Sequence, residues 1–131
     1  LRHAVLQRVV EESGINLVGF QLKEFRDMTV GMLTYLLSFS ARSDTVPVMD
    51  PTLASIFEYR RGQLLDAVVR ETPTWREEEQ KLVAASLDIL WDPSVYERIR
   101  QSWGFDRDTA TRSVTWLIDL IETAIKNGNK P

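Results

Sequence analysis

Apolar residues recur along this chain at spacings of three and four positions, which is the period of an amphipathic α-helix. The clearest stripe lies on residues 18–41 and consists of Leu22, Phe25, Met32, Leu36 and Phe39. No stretch shows the convincing apolar–polar alternation that is typical of a half-buried β-strand. The pattern therefore predicts an all-α protein, built as a bundle of about six helices.

Residues that favour helix termini divide the chain into these helices. An acidic residue followed by proline is typical of a helix start, and glycine is typical of a helix end. The predicted starts are Asp50-Pro51, Thr74 with Glu77 as a capping box, Asp92-Pro93, and Asp106, and Gly104 is a predicted end. The predicted helices are therefore 1–13, 18–41, 51–71, 75–91, 93–103 and 107–126, with a loop at 42–49.

The fourth and sixth predicted helices have more apolar surface than one core-facing stripe requires, which is an arc of about 100°. The last helix has a stripe of Ala110, Val114, Leu117, Ile121 and Ala124, and beside it Trp116, Ile118, Leu120 and Ile125. The fourth helix adds Ile89 and Trp91 and a small-residue run at 84–86. A central helix enclosed by a monomer is one interpretation. We favour a homodimer in which these two helices of each copy form a four-helix bundle.

The predicted dimer interface follows from this interpretation. Its residues are Leu82, Ser86, Ile89, Val114, Leu117, Ile118, Ile121 and Ile125. A solution mass near that of one chain would count strongly against the dimer.

Composition limits the class of protein. The chain has 131 residues, of which 44% are hydrophobic and 27% charged, as expected for one compact domain over residues 1–131. The net charge of −3 disfavours phosphate binding, so we expect no direct contact of this stretch with nucleic acid. The absence of cysteine excludes disulfides and thiolate metal sites and fits a cytoplasmic location. No apolar run approaches the roughly 18 residues that span a membrane.

Catalytic chemistry has little support in the sequence. The single histidine, His3, lies near the terminus, where an exposed side chain is the simpler interpretation. The carboxylates of Glu77, Glu78 and Glu79 are consecutive on a helix, so they diverge and form a solvated first turn favoured by the helix dipole. No glycine-rich phosphate loop is present. We expect a protein that binds rather than catalyses, without a metal or cofactor.

A small-molecule cavity between helices is the better hypothesis, because helical bundles hold ligands in largely apolar pockets with a few polar groups. The candidate lining residues are Met28, Met32, Tyr35, Phe39, Phe57 and Arg60. Methionine adapts to different shapes, and a tyrosine hydroxyl can orient a ligand. Arg60 lies on an apolar stripe, where it could meet an anionic ligand group, extend its head to water, or pair with a glutamate such as Glu24. A plain core is the competing interpretation of the whole stripe.

The C-terminal part of the chain also resembles a known family. Residues 82–126 have a helix of small and aliphatic residues, a short helix with a tryptophan, a glycine, an acidic cap and a long apolar helix. The residues that carry this pattern are Tyr96, Ile99, Trp103, Gly104, Phe105, Asp106, Ala110, Trp116 and Ile118. This pattern resembles the C-terminal ligand-binding and dimerisation domain of TetR-family transcriptional regulators, and residues 1–14 look like the helix that follows their DNA-binding head.

The resemblance implies a function. A complete protein of this family would have an N-terminal helix-turn-helix head, which this chain lacks, and would contact DNA through it. The last two long helices, about 75–91 and 107–126, would form the dimer. A small, largely apolar effector would bind between helices and change the spacing of the heads, so that repression of transcription responds to the effector. The alternative is a helical interaction module that dimerises without a small-molecule ligand.

Overall fold

The structure, a computed structural model, describes residues 19–42 and 51–131, with side chains at 19–35 and 58–131. Its helices are α1 (Phe25–Arg42), α2 (Pro51–Glu71), α3 (Glu77–Leu90), α4 (Pro93–Trp103) and α5 (Arg107–Lys126), and a 3-10 turn, Leu22–Glu24, leads into α1. No strand occurs in these two ranges, so the predicted all-α bundle is confirmed. The predicted helix at 1–13, with His3, and residues 43–49 of the predicted loop lie outside the described residues.

Three predicted helix termini are confirmed by their hydrogen bonds and backbone angles. The carboxylate of Asp92 accepts the backbone N–H of Ser94 at 2.9 Å, directly before the proline that opens α4. The carboxylate of Asp106 accepts the backbone N–H of Thr109 at 2.8 Å at the start of α5. Gly104 ends α4 in the left-handed region, with a φ of 67°. These local signals therefore set the α4–α5 corner.

The predicted start of α3 is wrong. We expected Thr74 to cap this helix with Glu77, but α3 begins at Glu77 and its N-cap is Arg76. The carboxylate of Glu79 accepts the backbone N–H of Arg76 at 2.9 Å, so the returning carboxylate of this terminus is Glu79. Residues 72–75 form a turn instead, in which the N–H of Trp75 donates to the carbonyl of Thr72 at 3.1 Å.

Helices α3 and α5 occupy the middle of the described bundle. α3 packs against α2, α4 and α5, while α5 packs against α1, α3 and α4. Their core-facing positions are Val83, Leu87, Leu90, Ala110, Val114 and Ile118. Part of the apolar excess that the sequence placed on these two helices is therefore used inside one chain.

The segment before α1 is held onto α2 by two polar contacts. The backbone N–H of Gly19 donates to the side-chain oxygen of Gln63 at 2.9 Å, and the guanidinium of Arg70 donates to the carbonyl of Phe20. Gly19 has a φ of 62°, which favours glycine at this bend. Within the described ranges, none of the helices combines the length and apolarity needed to cross a membrane.

Candidate ligand site and dimer surface

The predicted ligand-binding residues on α1 lie in or beside the core. Met28 and Met32 are buried in the main hydrophobic cluster, and Tyr35 is partly buried against it. The side chains of Phe39 and Phe57 lie outside the described residues. Met28 and Met32, two of the predicted ligand-binding residues, are therefore part of the hydrophobic core.

Arg60 is enclosed by the chain, with only 3% of the residue exposed. Its Nη2 atom lies 2.7 Å from Oδ1 of Asp88, and its Cζ atom lies 3.8 Å from the ring centroid of Trp91. The guanidinium does not reach water, and its acidic partner here is Asp88 on α3. The suggested pairing with Glu24 is not the one found, because the carboxylate of Glu24 accepts the backbone N–H of Gln21.

Burial has a measurable consequence for this guanidinium. Loss of solvent lowers the pKa of Arg60 from its usual value to about 10, and the negative charge of Asp88 opposes that shift. Arg60 therefore stays charged at neutral pH. A buried cation that stacks on tryptophan and pairs with a carboxylate joins two helices, and it leaves little of its own surface for an external anion.

Sequence reasoning missed Asp88 and Trp91 as partners of Arg60. A signal was present, since Asp88 interrupts the apolar run of α3 and is three positions from Trp91, which places both on neighbouring sides of the helix. The choice of Arg60 as their partner depends on the packing of α2 against α3. No periodicity in the chain specifies that packing.

The predicted dimer residues divide into two groups. Leu82, Ser86 and Ile89 are exposed on α3, and Ile89 is 56% exposed. Val114 and Ile118 are fully buried within the single chain, so their assignment to a surface that meets a second copy needs correction. Their side chains fill the core between α5 and its neighbours. The remaining predicted residues, Leu117, Ile121 and Ile125, are partly buried against that core.

Exposed apolar residues on α5 lie elsewhere than predicted. Trp116 is 61% exposed, and Leu120, one turn later, is also exposed. Both were visible in the sequence as apolar residues beside the main stripe. We call Leu82, Ser86, Ile89, Trp116 and Leu120 the exposed α3/α5 set. Trp103, at the end of α4, is 74% exposed and lies outside this set.

Acidic side chains in the described part of the chain do not assemble with histidine or with one another into a group that could hold a metal ion. Of the three consecutive glutamates at the start of α3, Glu77 and Glu78 are exposed, whereas Glu79 is buried by its capping contact. Comparisons with protein-family models, with curated proteins and with solved structures return no match to this chain. The resemblance to TetR-family regulators thus depends on the sequence pattern given above.

Proposed function

We propose that this chain is the dimerising, effector-sensing part of a TetR-type transcriptional repressor, in which two copies associate through the exposed α3/α5 set. The observation that carries the proposal is the position of large apolar side chains. Seven are exposed in the described part of the chain, and four of them belong to α3 and α5, namely Leu82, Ile89, Trp116 and Leu120. A concentration of exposed large apolar side chains on two neighbouring helices is typical of a surface that another molecule covers.

The geometry of α3 supports a helix–helix contact. Leu82, Ser86 and Ile89 each precede a core residue by one position, so they form a stripe along one side of the buried face. The hydroxyl of Ser86 donates to the carbonyl of Leu82 at 2.8 Å within the helix. This bond satisfies the hydroxyl, so the stripe offers few polar groups that a partner would have to satisfy.

A second copy is the partner that this surface fits. The exposed side of α3 has two small residues, Ala85 and Ser86, between Leu82 and Ile89, while α5 presents the large side chains of Trp116 and Leu120. One chain thus supplies both large side chains, on α5, and small residues, on α3, against which the large side chains of a second copy can pack. A two-fold dimer needs such a self-complementary surface, because the same patch meets itself across the axis.

The effector part of the proposal is supported by Met28 and Met32 on α1. Adjacent methionines in a core adapt to a small apolar guest more readily than branched side chains do. The role is binding rather than catalysis, in the cytoplasm, with DNA contacted by a separate head. Effector binding can shift a conformational balance only by its differential affinity for the two states.

One observation favours the alternative of an interaction module without a ligand. Arg60 is the most polar of the proposed lining residues, and Asp88 and Trp91 already surround it. A core that pairs its own charged group with a carboxylate and an aromatic ring has less need of an anionic guest molecule. This alternative shares the proposed dimer, so the two functions differ only in ligand binding.

The dimer is tested by sedimentation equilibrium at micromolar concentration. The subunit mass is 15.1 kDa, and we expect twice that value for the unmodified chain. Trp116→Lys is expected to give the subunit mass, because it places a charge in the apolar contact. Trp103→Lys is the matched control, since it makes the same change at an exposed tryptophan outside the set, and it should leave the dimer intact. A wild-type mass of one subunit contradicts the proposal.

Effector binding is tested separately by thermal unfolding in the presence of a library of small apolar and amphipathic compounds. A ligand that binds only the folded state raises the unfolding temperature by mass action. We expect at least one such compound, and Met32→Leu, which keeps the apolar character but removes the flexible thioether, should reduce its effect. A dimer that is silent across the whole library favours the interaction module.

A further inference from the structure

Arg60 of α2 lies against the corner at which α3 ends and α4 begins. It pairs with Asp88 in the last turn of α3 and stacks on Trp91, which is the C-cap of that helix. The charge of Asp92, the N-cap of α4, also acts on Arg60 and raises its pKa, against the larger effect of burial. A cation at this point is favoured by the carbonyl end of the α3 dipole. One side chain therefore contacts two residues of the corner, Asp88 and Trp91.

Stability alone gives a weak reason for such an arrangement. Burying an ion pair costs desolvation, and replacing it with apolar residues of similar volume is often neutral or stabilising. What Arg60 adds is direction, because a close ion pair with Asp88 and a guanidinium stacked on the Trp91 ring each restrict the geometry of the side chain. Apolar packing is non-directional by comparison.

The orientation of the last turn of α3 matters because Ile89, which follows Asp88, is exposed. Ile89 is the last residue of the exposed stripe on α3, and it lies one helical position, about 100°, from Asp88. If Arg60 fixes the rotation of this turn about the helix axis, it also fixes where Ile89 points. Loss of the pair would remove this directional restraint and leave the apolar contacts of Leu87 and Leu90 as the ones that orient the turn.

We infer that Arg60 is a positioning residue that sets the last turn of α3 for association with a second copy. Through it, the packing of α2 is coupled to the dimer surface. This inference rests on the proposed function, since it concerns the regulation of the same dimer. It assigns the regulation to a contact between α2 and α3, away from the α5 residues that also take part in association.

The test compares three variants by the dimer dissociation constant, from sedimentation, and by the urea midpoint of unfolding. Unfolding is measured in the Trp116→Lys background, so that stability does not include association. Arg60→Met removes the pair, and Arg60→Met with Asp88→Leu replaces it by apolar residues. Val68→Ala, at a fully buried position of α2, lowers stability without touching the corner.

We expect Arg60→Met to weaken the dimer at least 10-fold and Val68→Ala to weaken it less than 2-fold. The double variant should regain the urea midpoint while its dimer stays at least 10-fold weaker than wild type. Equal weakening by Arg60→Met and Val68→Ala, or recovery of wild-type affinity in the double variant, overturns the positioning role and leaves the dimer standing. A wild-type chain that is monomeric overturns the proposed function and this inference together.

Discussion

The hydroxyl of Tyr96 in α4 donates a hydrogen bond to the carbonyl oxygen of Arg107, the first residue of α5, over 3.1 Å. The ring of Tyr96 is buried in the core, so this bond satisfies a polar group that has little access to water. It spans the corner at which Gly104 ends α4. The two helices are therefore joined by a directional contact as well as by apolar packing.

Tyr96→Phe should lower the free energy of unfolding by about 1 kcal/mol, since it removes one hydrogen bond and keeps the buried ring. Urea unfolding followed by circular dichroism measures the change. Tyr59→Phe is the control, because Tyr59 is an exposed tyrosine on α2 and the same change there should cost less than about 0.5 kcal/mol. Equal effects at the two positions would mean that the bond to Arg107 contributes nothing.

The cap of α5 should make stability depend on acid pH. The backbone N–H of Thr109 stabilises the ionised carboxylate and lowers the pKa of Asp106 below 3.8. A folded-state pKa below the unfolded one contributes stability above the unfolded value, and this contribution is lost as the pH falls through the folded pKa. Asp106→Ala should therefore destabilise the protein at pH 7.

Thermal unfolding at pH 7 and at pH values below about 3 measures this dependence. Asp106→Asn is the matched variant, because an asparagine caps the helix without titrating. It should retain most of the wild-type unfolding temperature at pH 7 and lose less than wild type on acidification. A wild-type chain and an Asp106→Asn variant with the same acid sensitivity would contradict this account.

The helix starts of α4 and α5 could be predicted from the sequence because each depends on residues within one turn. Asp92 and Asp106 need only a backbone N–H two or three positions ahead. The start of α3 was missed because two overlapping local patterns compete there. Thr74 and Arg76 each have a glutamate three positions later, and the turn that follows Thr72 selects Arg76. The spacing alone does not show whether Thr74 or Arg76 is the N-cap of α3.

The site could be predicted less well because its contacts are long-range. A helical wheel shows that α5 has apolar residues on two sides, but it does not say which side meets the chain's own core. Packing against α1, α3 and α4 placed Val114 and Ile118 inside and left Trp116 and Leu120 exposed. In the same way, Arg60 was visible as a polar residue on an apolar stripe, whereas its partner Asp88 is distant in the chain.

Two glycines should respond to alanine in opposite directions. Gly104 has a φ of 67°, so a side chain there is strained even though the space is open, and Gly104→Ala should cost about 1 kcal/mol. Gly62 lies inside α2, and nothing lies within 4 Å of a Cβ built on it. Gly62→Ala should stabilise the fold by about 0.5–1 kcal/mol, because alanine loses less backbone entropy in a helix. Urea unfolding measures both, and a stabilising Gly104→Ala would contradict the left-handed helix end.

Glu122 of α5 is a partly buried carboxylate that the fold disfavours in its charged form. Its Oε1 atom is buried and, among the described residues, accepts no hydrogen bond. Burial, followed by the charge of Asp119, raises the pKa of Glu122 above 4.5. A folded-state pKa above the unfolded one penalises the native state at neutral pH, and the penalty disappears as the pH falls below the unfolded value.

Glu122→Gln should therefore raise the unfolding temperature at pH 7, and the difference from wild type should shrink towards pH 4. The replacement keeps the shape and removes the charge, so lost packing does not obscure the sign. Glu58→Gln, at an exposed position on α2, is the control and should change little at either pH. A Glu122→Gln variant that is less stable than wild type at pH 7 would mean that the carboxylate makes a favourable contact. The candidate for that contact would then be Arg26, which pairs with Asp119 at 3.3 Å.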